Sequence, residues 1–423
     1  MANFKKHVLE NGLRVITLPV KETKTVAVLI LVGTGSKYES KEINGLSHFL
    51  EHIFFKGTKK RPNTLAISET LDRVGGKYNA FTSQEYTGYW AKVAADHFDL
   101  ALDWTSDIFL NSKIPEQEIQ REKGVILEEI NMHLDNPMSL VADLWMDILY
   151  GNQPAGWRVL GTKQVVQSLQ RDHFLKYLKD HYSSQNTIIV IAGRVSHGSA
   201  LTGVKKYFKT INTGNVKDKV AVKEGQTKPR ALVHYRATDQ SHLCLGVRGY
   251  DIFHPDRYTL DLLGVILGGN MSSRLFISIR ERQGLAYYIS TGVSMDTDTG
   301  FLFTRAGVDN KRIEQAIKSI LKEYSKIAHQ KVSSSEIRKA KDSVKGGALI
   351  DMESSDAQAS FVGMQELLTG KILTLEQEFA KIEKVTVNDI QRVAKDVFRL
   401  NRLNLALVGP FKDKSKFEKL LDI

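Results

Sequence analysis

The sequence predicts an α+β fold of two homologous domains in tandem, each a mostly antiparallel sheet packed with helices. Three observations support this prediction. The chain has 423 residues, which is more than one ordinary hydrophobic core accommodates. Buried-strand runs, hairpin signals and helical patterns recur in a similar order in the two halves. Each half also contains an apolar strand run that ends in glycine, at 189–193 and at 405–409.

The predicted domains are 1–210 and 231–423. Residues 211–230 are polar and basic and lack an apolar period, so we expect a linker there. Hydrophobic and charged residues make up 42% and 25% of the chain, as is usual for a globular protein. The single cysteine, Cys244, excludes an internal disulfide framework and predicts a buried thiol in a reducing compartment.

Composition also limits the location and the partners of the chain. The N-terminus has no apolar core and no small-residue cleavage site, so we expect no secretory signal. No apolar run approaches the roughly 20 residues of a membrane span. These features predict a cytoplasmic protein, most simply a prokaryotic one. The net charge is +11, but the basic residues are spread along the whole chain, so we expect a solvated surface and no nucleic-acid partner.

In the first half, Asn11-Gly12 is a hairpin turn signal between two strand-like runs. Further strands are predicted at 25–32, 77–83, 86–93 and 187–192. Helices are predicted within 45–58 and at 63–74, 98–111, 115–134, 138–150, 171–182 and 197–209.

The second half repeats this order in outline. Its strands are predicted at 231–235, 242–249, 289–293, 300–308 and 405–409. Its helices are predicted at 258–267, 273–283, 310–328, 334–352, 355–368, 374–384 and 387–397. The helix at 258–267 takes the place of the one within 45–58, but it contains no histidine.

The helix predicted within 45–58 carries His48, Glu51 and His52. Residues three and four apart share a helix face, so these side chains point the same way. Two imidazoles one turn apart can bind one zinc ion at about 2.0–2.1 Å, and the glutamate between them can reach a metal-bound water. The order His-x-x-Glu-His is the inverted form of a zinc-hydrolase motif. The alternative is that these side chains lie on an ordinary solvated helix. A catalytic zinc site also requires a third protein ligand from elsewhere in the chain.

The helix predicted at 115–134 is rich in glutamate, which by itself is also typical of a solvated helix. However, Glu122 and Glu129 lie seven residues apart and share a face. Val125 and Ile126 share that side, so we expect the face to turn inward. A buried carboxylate needs a partner, and a metal supplies one. We therefore prefer Glu129 to Glu128 as the third ligand, with Glu122 supporting the site.

The spacing of these motifs is specific. HFLEH, followed after 76 residues by the second glutamate of VILEE, resembles the pitrilysin-type zinc peptidase family, which includes the mitochondrial processing peptidases. YNAFTSQEYTGYW, EKGVILEEI and LGGNMSSRLFISIRERQGLAYYIS extend the resemblance over essentially the whole chain. The resemblance implies a processing-peptidase-like fold and one Zn²⁺ per chain, bound by His48, His52 and Glu129. It implies that Glu51 is the general base and Glu122 a supporting acid.

The same resemblance implies a substrate site. Arg280 and Tyr287 match the family's Arg–Tyr pair, which binds substrate backbone carbonyls and stabilises the oxyanion across a closed chamber. Asn79, Ala80 and Phe81 match the edge strand that pairs with an extended peptide. From the residues alone, a paired internal hairpin is the alternative for this segment.

The implied activity is that of a zinc endopeptidase acting on peptides or unfolded segments inside the chamber. Because this chain carries both the zinc motif and the Arg–Tyr pair, the resemblance favours a homodimer. The alternative is a catalytically inactive scaffold subunit of the same fold, like the core proteins of a respiratory complex. Those proteins commonly lose metal ligands, whereas this chain keeps all three together with the base.

Overall fold

A computed structural model describes residues 4–214 and 216–423. The first three residues of the predicted first domain, and position 215 of the predicted linker, lie outside the described part. The strands are Lys5–Val8 (β1), Arg14–Pro19 (β2), Thr25–Val32 (β3), Lys77–Thr82 (β4), Thr87–Ala94 (β5), Thr187–Gly193 (β6), Arg230–Tyr235 (β7), Gln240–Arg248 (β8), Ala286–Met295 (β9), Gly300–Asp309 (β10) and Leu403–Gly409 (β11).

The α-helices are Leu46–Ile53 (α1), Thr64–Asp72 (α2), Phe98–Asn111 (α3), Glu116–Asp135 (α4), Pro137–Tyr150 (α5), Lys163–Ser168 (α6), Arg171–His181 (α7), His197–Tyr207 (α8), Arg257–Gly268 (α9), Ile313–His329 (α10), Ser334–Asp351 (α11), Ser355–Thr369 (α12), Leu375–Lys384 (α13), Val387–Val397 (α14) and Ser415–Glu418 (α15). A π-helical segment runs over Phe276–Arg282. None of the described helices is long and apolar enough to span a membrane.

The first compact unit contains Met1–Asn131, Trp157–Val220 and Leu349–Thr374. Its six-stranded sheet has the order β1-β2-β6-β3-β5-β4, and only the β2–β6 pair is parallel. The central strands are nearly continuous apolar runs because both faces of the sheet are covered. Leu29 and Leu31 face α12, and the alternation along β3 directs its other residues to the opposite face.

The second compact unit contains Met132–Gly156, Ala221–Ala348 and Leu375–Ile423. Its five-stranded sheet has the order β7-β11-β8-β10-β9, with β7 parallel to β11 and the other pairs antiparallel. Helix α5 packs on one face against the free thiol of Cys244 and its neighbours. The larger core of this unit includes residues of α9, α10 and α14.

The two sheets repeat one strand order. The sequence β2-β6-β3-β5-β4 corresponds strand for strand to β7-β11-β8-β10-β9, including the single parallel pair. Strand β1 is an addition at the edge of the first sheet. The predicted α+β fold of two homologous domains is therefore confirmed.

The compact units differ from the predicted contiguous domains 1–210 and 231–423. Each unit contains a helix from the other half of the chain, since α5 lies in the second unit and α12 in the first. The apolar residues of α12, such as Ala359 and Val362, complete the core on one face of the first sheet. Periodicity shows that a helix has an apolar face, but it does not show which sheet that face covers.

Most elements lie within two residues of their predicted bounds, and Phe98–Asn111 and Val387–Val397 coincide with them. The short helices α6 and α15 were not predicted, and the helix predicted at 273–283 is π-helical over most of its length. The described part of the predicted linker has no regular structure before β7. Its part up to Val220 belongs to the first unit, where Lys219 forms a 2.9 Å ion pair with the buried carboxylate of Glu85, and its part from Ala221 belongs to the second.

Candidate metal centre

Helix α1 carries the predicted motif. Its apolar side, formed by Leu46, Phe49, Leu50 and Ile53, is fully buried. This packing fixes the rotation of the helix and leaves the positions of His48, Glu51 and His52 on another side. His48 is buried, and Glu51 and His52 are half-buried.

The structure brings His48 and His52 of α1 together with Glu129 of α4. Glu129 Oε2 lies 3.6 Å from His48 Nε2 and 3.7 Å from His52 Nε2. One ligand atom from each of the three residues lies within 4.8 Å of the others. The two measured separations exceed the about 2.7–3.2 Å of a hydrogen bond. They approach the roughly 3.3 Å that separates two ligands at tetrahedral zinc. The donor set therefore fits a zinc ion.

Glu122 contacts the far side of the His52 ring. Its Oε1 lies 2.9 Å from His52 Nδ1, and its Oε2 lies 2.6 Å from Lys56 Nζ. Burial acts to raise the pKa of Glu122, but the hydrogen bonds from His52 and Lys56 outweigh it and lower that pKa overall. The resulting carboxylate accepts a hydrogen bond from Nδ1–H and so keeps Nε2 free to bind a metal.

Glu51 lies outside the three-residue ligand group. Its Oε2 accepts a 2.6 Å hydrogen bond from Thr82 Oγ1 at the end of β4. Burial raises the pKa of Glu51, and the Thr82 hydroxyl and the charge of His52 oppose this effect only in part. A carboxylate with a raised pKa is better matched to proton transfer near neutral pH.

Strand β4 forms an edge of the first sheet and carries the predicted peptide-binding residues. The 2.8 Å bond from Ser83 N to Tyr86 O sets the pairing of β4 with β5. Antiparallel alternation then directs the backbone groups of residues 78, 80 and 82 to the free edge. The N–H of Ala80 donates to the side-chain Oδ1 of Asn79 at 2.9 Å. Phe81 packs its ring into the cluster with α12, and the same alternation directs its backbone groups to β5 and away from the free edge.

Arg280 and Tyr287 belong to the second compact unit, whereas the metal-ligand group belongs to the first. Arg280 lies in the π-helical segment, with its guanidinium 4.7 Å from the ring centre of Phe276 and 6.0 Å from that of Tyr287. Tyr287 is 76% exposed. The two predicted residues therefore lie near each other in their unit, with Arg280 half-buried and Tyr287 exposed.

Two residues that contact the site were not identified from the sequence. Lys56 follows His52 by four residues, so helical spacing could have indicated it. Thr82 follows Ala80 by two in a strand, and period-two alternation could have placed both on one face. One expectation about α4 was wrong. Val125 is 50% exposed, whereas Ile126 is fully buried. The two residues lie on opposite sides of the line that joins Glu122 and Glu129 along the helix, and only the side of Ile126 is covered.

Comparisons with known proteins identify the family of the chain. The family model "Insulinase (Peptidase family M16)" matches residues 14–163, and "Peptidase M16 inactive domain" matches residues 168–344. An uncharacterized zinc protease of Bacillus subtilis is 36% identical over 96% of this chain and 98% of its own length.

Two solved structures share the fold. A protease from Helicobacter pylori superimposes with a TM-score of 0.90 at 24% identity, covering 96% of this chain and 100% of that one. A chain of complex III2 from Candida albicans superimposes with a TM-score of 0.85 at 20% identity, covering 99% and 100%. The two family models together span most of the sequence. The chain therefore belongs to peptidase family M16, the pitrilysin-type zinc peptidases.

Proposed function

We propose that this chain is a zinc endopeptidase that hydrolyses peptides or unfolded segments in an enclosed chamber. The observation that carries the proposal is the convergence of His48, His52 and Glu129, with Glu51 on the same helix. Membership of a zinc peptidase family supports the same reaction class. The three converging residues would hold one zinc ion per chain.

When bound, zinc polarises the scissile carbonyl and lowers the pKa of a coordinated water to about 7. Glu51 accepts a proton from the attacking water and transfers it to the leaving amine. The Thr82 hydroxyl occupies Oε2 of Glu51, which leaves Oε1 available for that proton. Glu122 holds the His52 ring in one orientation through Nδ1.

In this proposal, the substrate binds in extended form along the free edge of β4. Backbone groups of residues 78, 80 and 82 would pair with it, and backbone pairing tolerates many side-chain sequences. The N–H of Ala80 already has a partner in Asn79 Oδ1, so the Asn79 side chain must move or share that donor when a peptide binds. This requirement gives Asn79 a part in substrate binding.

Arg280 and Tyr287 would bind backbone carbonyls of the substrate and stabilise the oxyanion. The exposure of Tyr287 supports this part of the proposal, as does the π-helical turn that carries Arg280, since such turns are frequent at functional sites. The homodimer in which a partner copy completes the chamber stays a prediction.

The alternative is an inactive scaffold subunit of the same fold. The likeness to a chain of complex III2 concerns the fold alone. The geometry favours the enzyme, because the three ligand side chains converge and Glu51 keeps a defined hydrogen bond.

Elemental analysis and peptide digestion test this proposal together. Purified protein should contain zinc and cleave a mixed peptide library, lose cleavage with a chelator and regain it with zinc. Glu51→Gln should keep its zinc and lose about 10²–10⁴-fold in kcat, the usual contribution of a general base. A native protein that binds no zinc, or cleavage that a chelator does not affect, would contradict the proposal.

A further inference from the structure

A buried carboxylate lies at the start of the metal-binding helix. Glu39 is 3% exposed and accepts hydrogen bonds from the backbone N–H of Gly45 at 2.8 Å and of Ser47 at 2.6 Å. The side-chain amide of Asn44 donates to it at 3.0 Å. One side chain therefore satisfies two backbone donors at the N-terminus of α1, which have no partner within the helix.

Helix α1 cannot supply this capping oxygen itself. Its N-cap is Gly45, whose φ of +100° lies in the left-handed region that favours glycine. A Cβ at this position would lie 2.7 Å from the carbonyl oxygen of Leu160. The usual capping residues are therefore excluded from the N-cap, and the acceptor must come from another segment.

A second contact holds the same turn of α1. Ser47 Oγ lies 2.8 Å from the hydroxyl of Tyr177, which lies 2.7 Å from Thr34 Oγ1, and all three groups are buried. Ser47 immediately precedes His48. Its backbone is therefore held by Glu39 and its side chain by Tyr177, one residue before the first histidine of the ligand group.

The corresponding helix of the second half begins differently. Its N-cap, Asp256, makes no capping hydrogen bond and instead forms a bidentate pair with the exposed Arg392 at 2.6 and 2.8 Å. A helix without metal ligands thus starts without a buried carboxylate. The burial of Glu39 is also costly, since it raises the pKa of this group to about 7.

We propose that Glu39 is a positioning residue of the metal centre. It fixes the start of α1, and thereby keeps His48, Glu51 and His52 in register with Glu129 on α4. The link to catalysis rests on the proposed peptidase function, whereas the link to metal binding rests on the ligand geometry alone.

The test compares Glu39→Gln with Asp256→Asn, the matched change at the start of the second-half helix, in the purified full chain. Gly45 and Ser47 donate to different oxygens of Glu39, so the NH2 group of Gln would face one of these two N–H groups with a donor, and the first turn of α1 should shift. We expect Glu39→Gln to weaken zinc binding, measured by chelator competition, and to lower kcat, each by about 10–100-fold. The visible spectrum of the cobalt-substituted protein should change, and KM should stay within about twofold. Asp256→Asn should alter none of these values.

Each result has a defined reading. If Glu39→Gln leaves zinc affinity, the cobalt spectrum and kcat within about twofold of wild type, the positioning role is overturned. If Glu39→Gln does not fold, zinc affinity is measured for Glu39→Asp instead. Its side chain is one methylene too short to reach both N–H groups, so wild-type zinc affinity in this variant would also overturn the role. A wild-type protein that binds zinc but cleaves no peptide contradicts only the proposed function, whereas one that binds no zinc contradicts both.

Discussion

The helices α1 and α9 follow β3 and β8, which are equivalent strands of the two sheets, but they meet those sheets in different ways. In the second half, glycines bring α9 directly against β9. A Cβ on Gly268 would lie 2.4 Å from the backbone nitrogen of Thr291, and one on Gly264 would lie 2.9 Å from a methyl of Val293. In the first half, the polar side chains of α1 reach β4, where Glu51 accepts the hydrogen bond of Thr82.

The equivalent helix–strand interfaces of the two domains therefore differ, with close packing in one and the candidate metal centre beside the other. In the second copy, the glycines of α9 allow close contact with the strand, and the buried residues of the helix are mostly apolar. In the first copy, the same interface holds the Glu51 carboxylate, and the imidazoles of His48 and His52 lie next to the acidic helix α4. Buried polar groups are expensive, so the first copy needs additional contacts such as those of Glu39 and Glu122.

The largest expected effect concerns the ligand group that only the first copy contains. Glu129→Gln should weaken zinc binding by more than the about 10–100-fold that a change in a supporting residue costs. The matched control is Glu128→Gln, since Glu128 is exposed and accepts a 3.3 Å hydrogen bond from its helix neighbour Asn131. Chelator competition measures both affinities. Equal affinities in the two variants would contradict the choice of Glu129.

Glu39, which caps α1, and Asp256, the N-cap residue of α9, should make contributions to stability that change with pH in opposite directions. Burial raises the pKa of Glu39 from 4.5 to about 7, so its folded form binds a proton more tightly than its unfolded form. Its contribution to stability is fully present below pH 4.5 and is lost as the pH rises through 7. The stability difference between wild type and Glu39→Gln should fall by on the order of 3 kcal/mol over this range.

For Asp256 we expect the opposite dependence of stability on pH. Its hydrogen bond with Arg392 lowers its pKa, so the stability that it contributes is lost as the pH falls through that value. Urea unfolding of the metal-free variants at a series of pH values measures both effects. A stability difference for Glu39→Gln that does not change between pH 4.5 and 7 would contradict the assignment.

The second copy is expected to contribute to substrate binding without contributing to metal binding. Arg280→Ala should lower kcat/KM by about 10–100-fold, since a hydrogen bond to a charged group contributes about 1.5–3 kcal/mol. Its zinc content should not change. The control is Arg282→Ala, which removes an exposed arginine from the same π-helical segment. An unaltered rate for Arg280→Ala would remove this residue from the proposed site.

The smallest expected effect concerns the closed packing of α9. Gly268→Ala should lower the free energy of unfolding by about 1–3 kcal/mol, because the new methyl group overlaps the backbone of Thr291. The same change at Gly346 in α11, where a Cβ meets no atom within 4 Å, should be neutral or stabilise by up to about 1 kcal/mol. Thermal unfolding measures both. If Gly268→Ala is as stable as Gly346→Ala, the packing contrast between the two halves is wrong.

The sequence by itself determined the elements, their order and the main site candidates. Strand and helix periods act over a few residues, so local patterns placed β3, α3 and α14 at or near their observed bounds. The fixed spacing of a helix also placed His48, Glu51 and His52 on one face. These features depend on neighbours in the chain and need no knowledge of the rest of the molecule.

Only the tertiary structure decided which distant segments meet. It brought Glu129 within reach of the two histidines, exposed Val125, directed Thr82 toward Glu51 and placed Glu39 beneath the first turn of α1. It also exchanged α5 and α12 between the two compact units. Each of these outcomes depends on the burial of surfaces that are far apart in sequence, and a hydrophobic pattern records that a surface is buried without recording its partner.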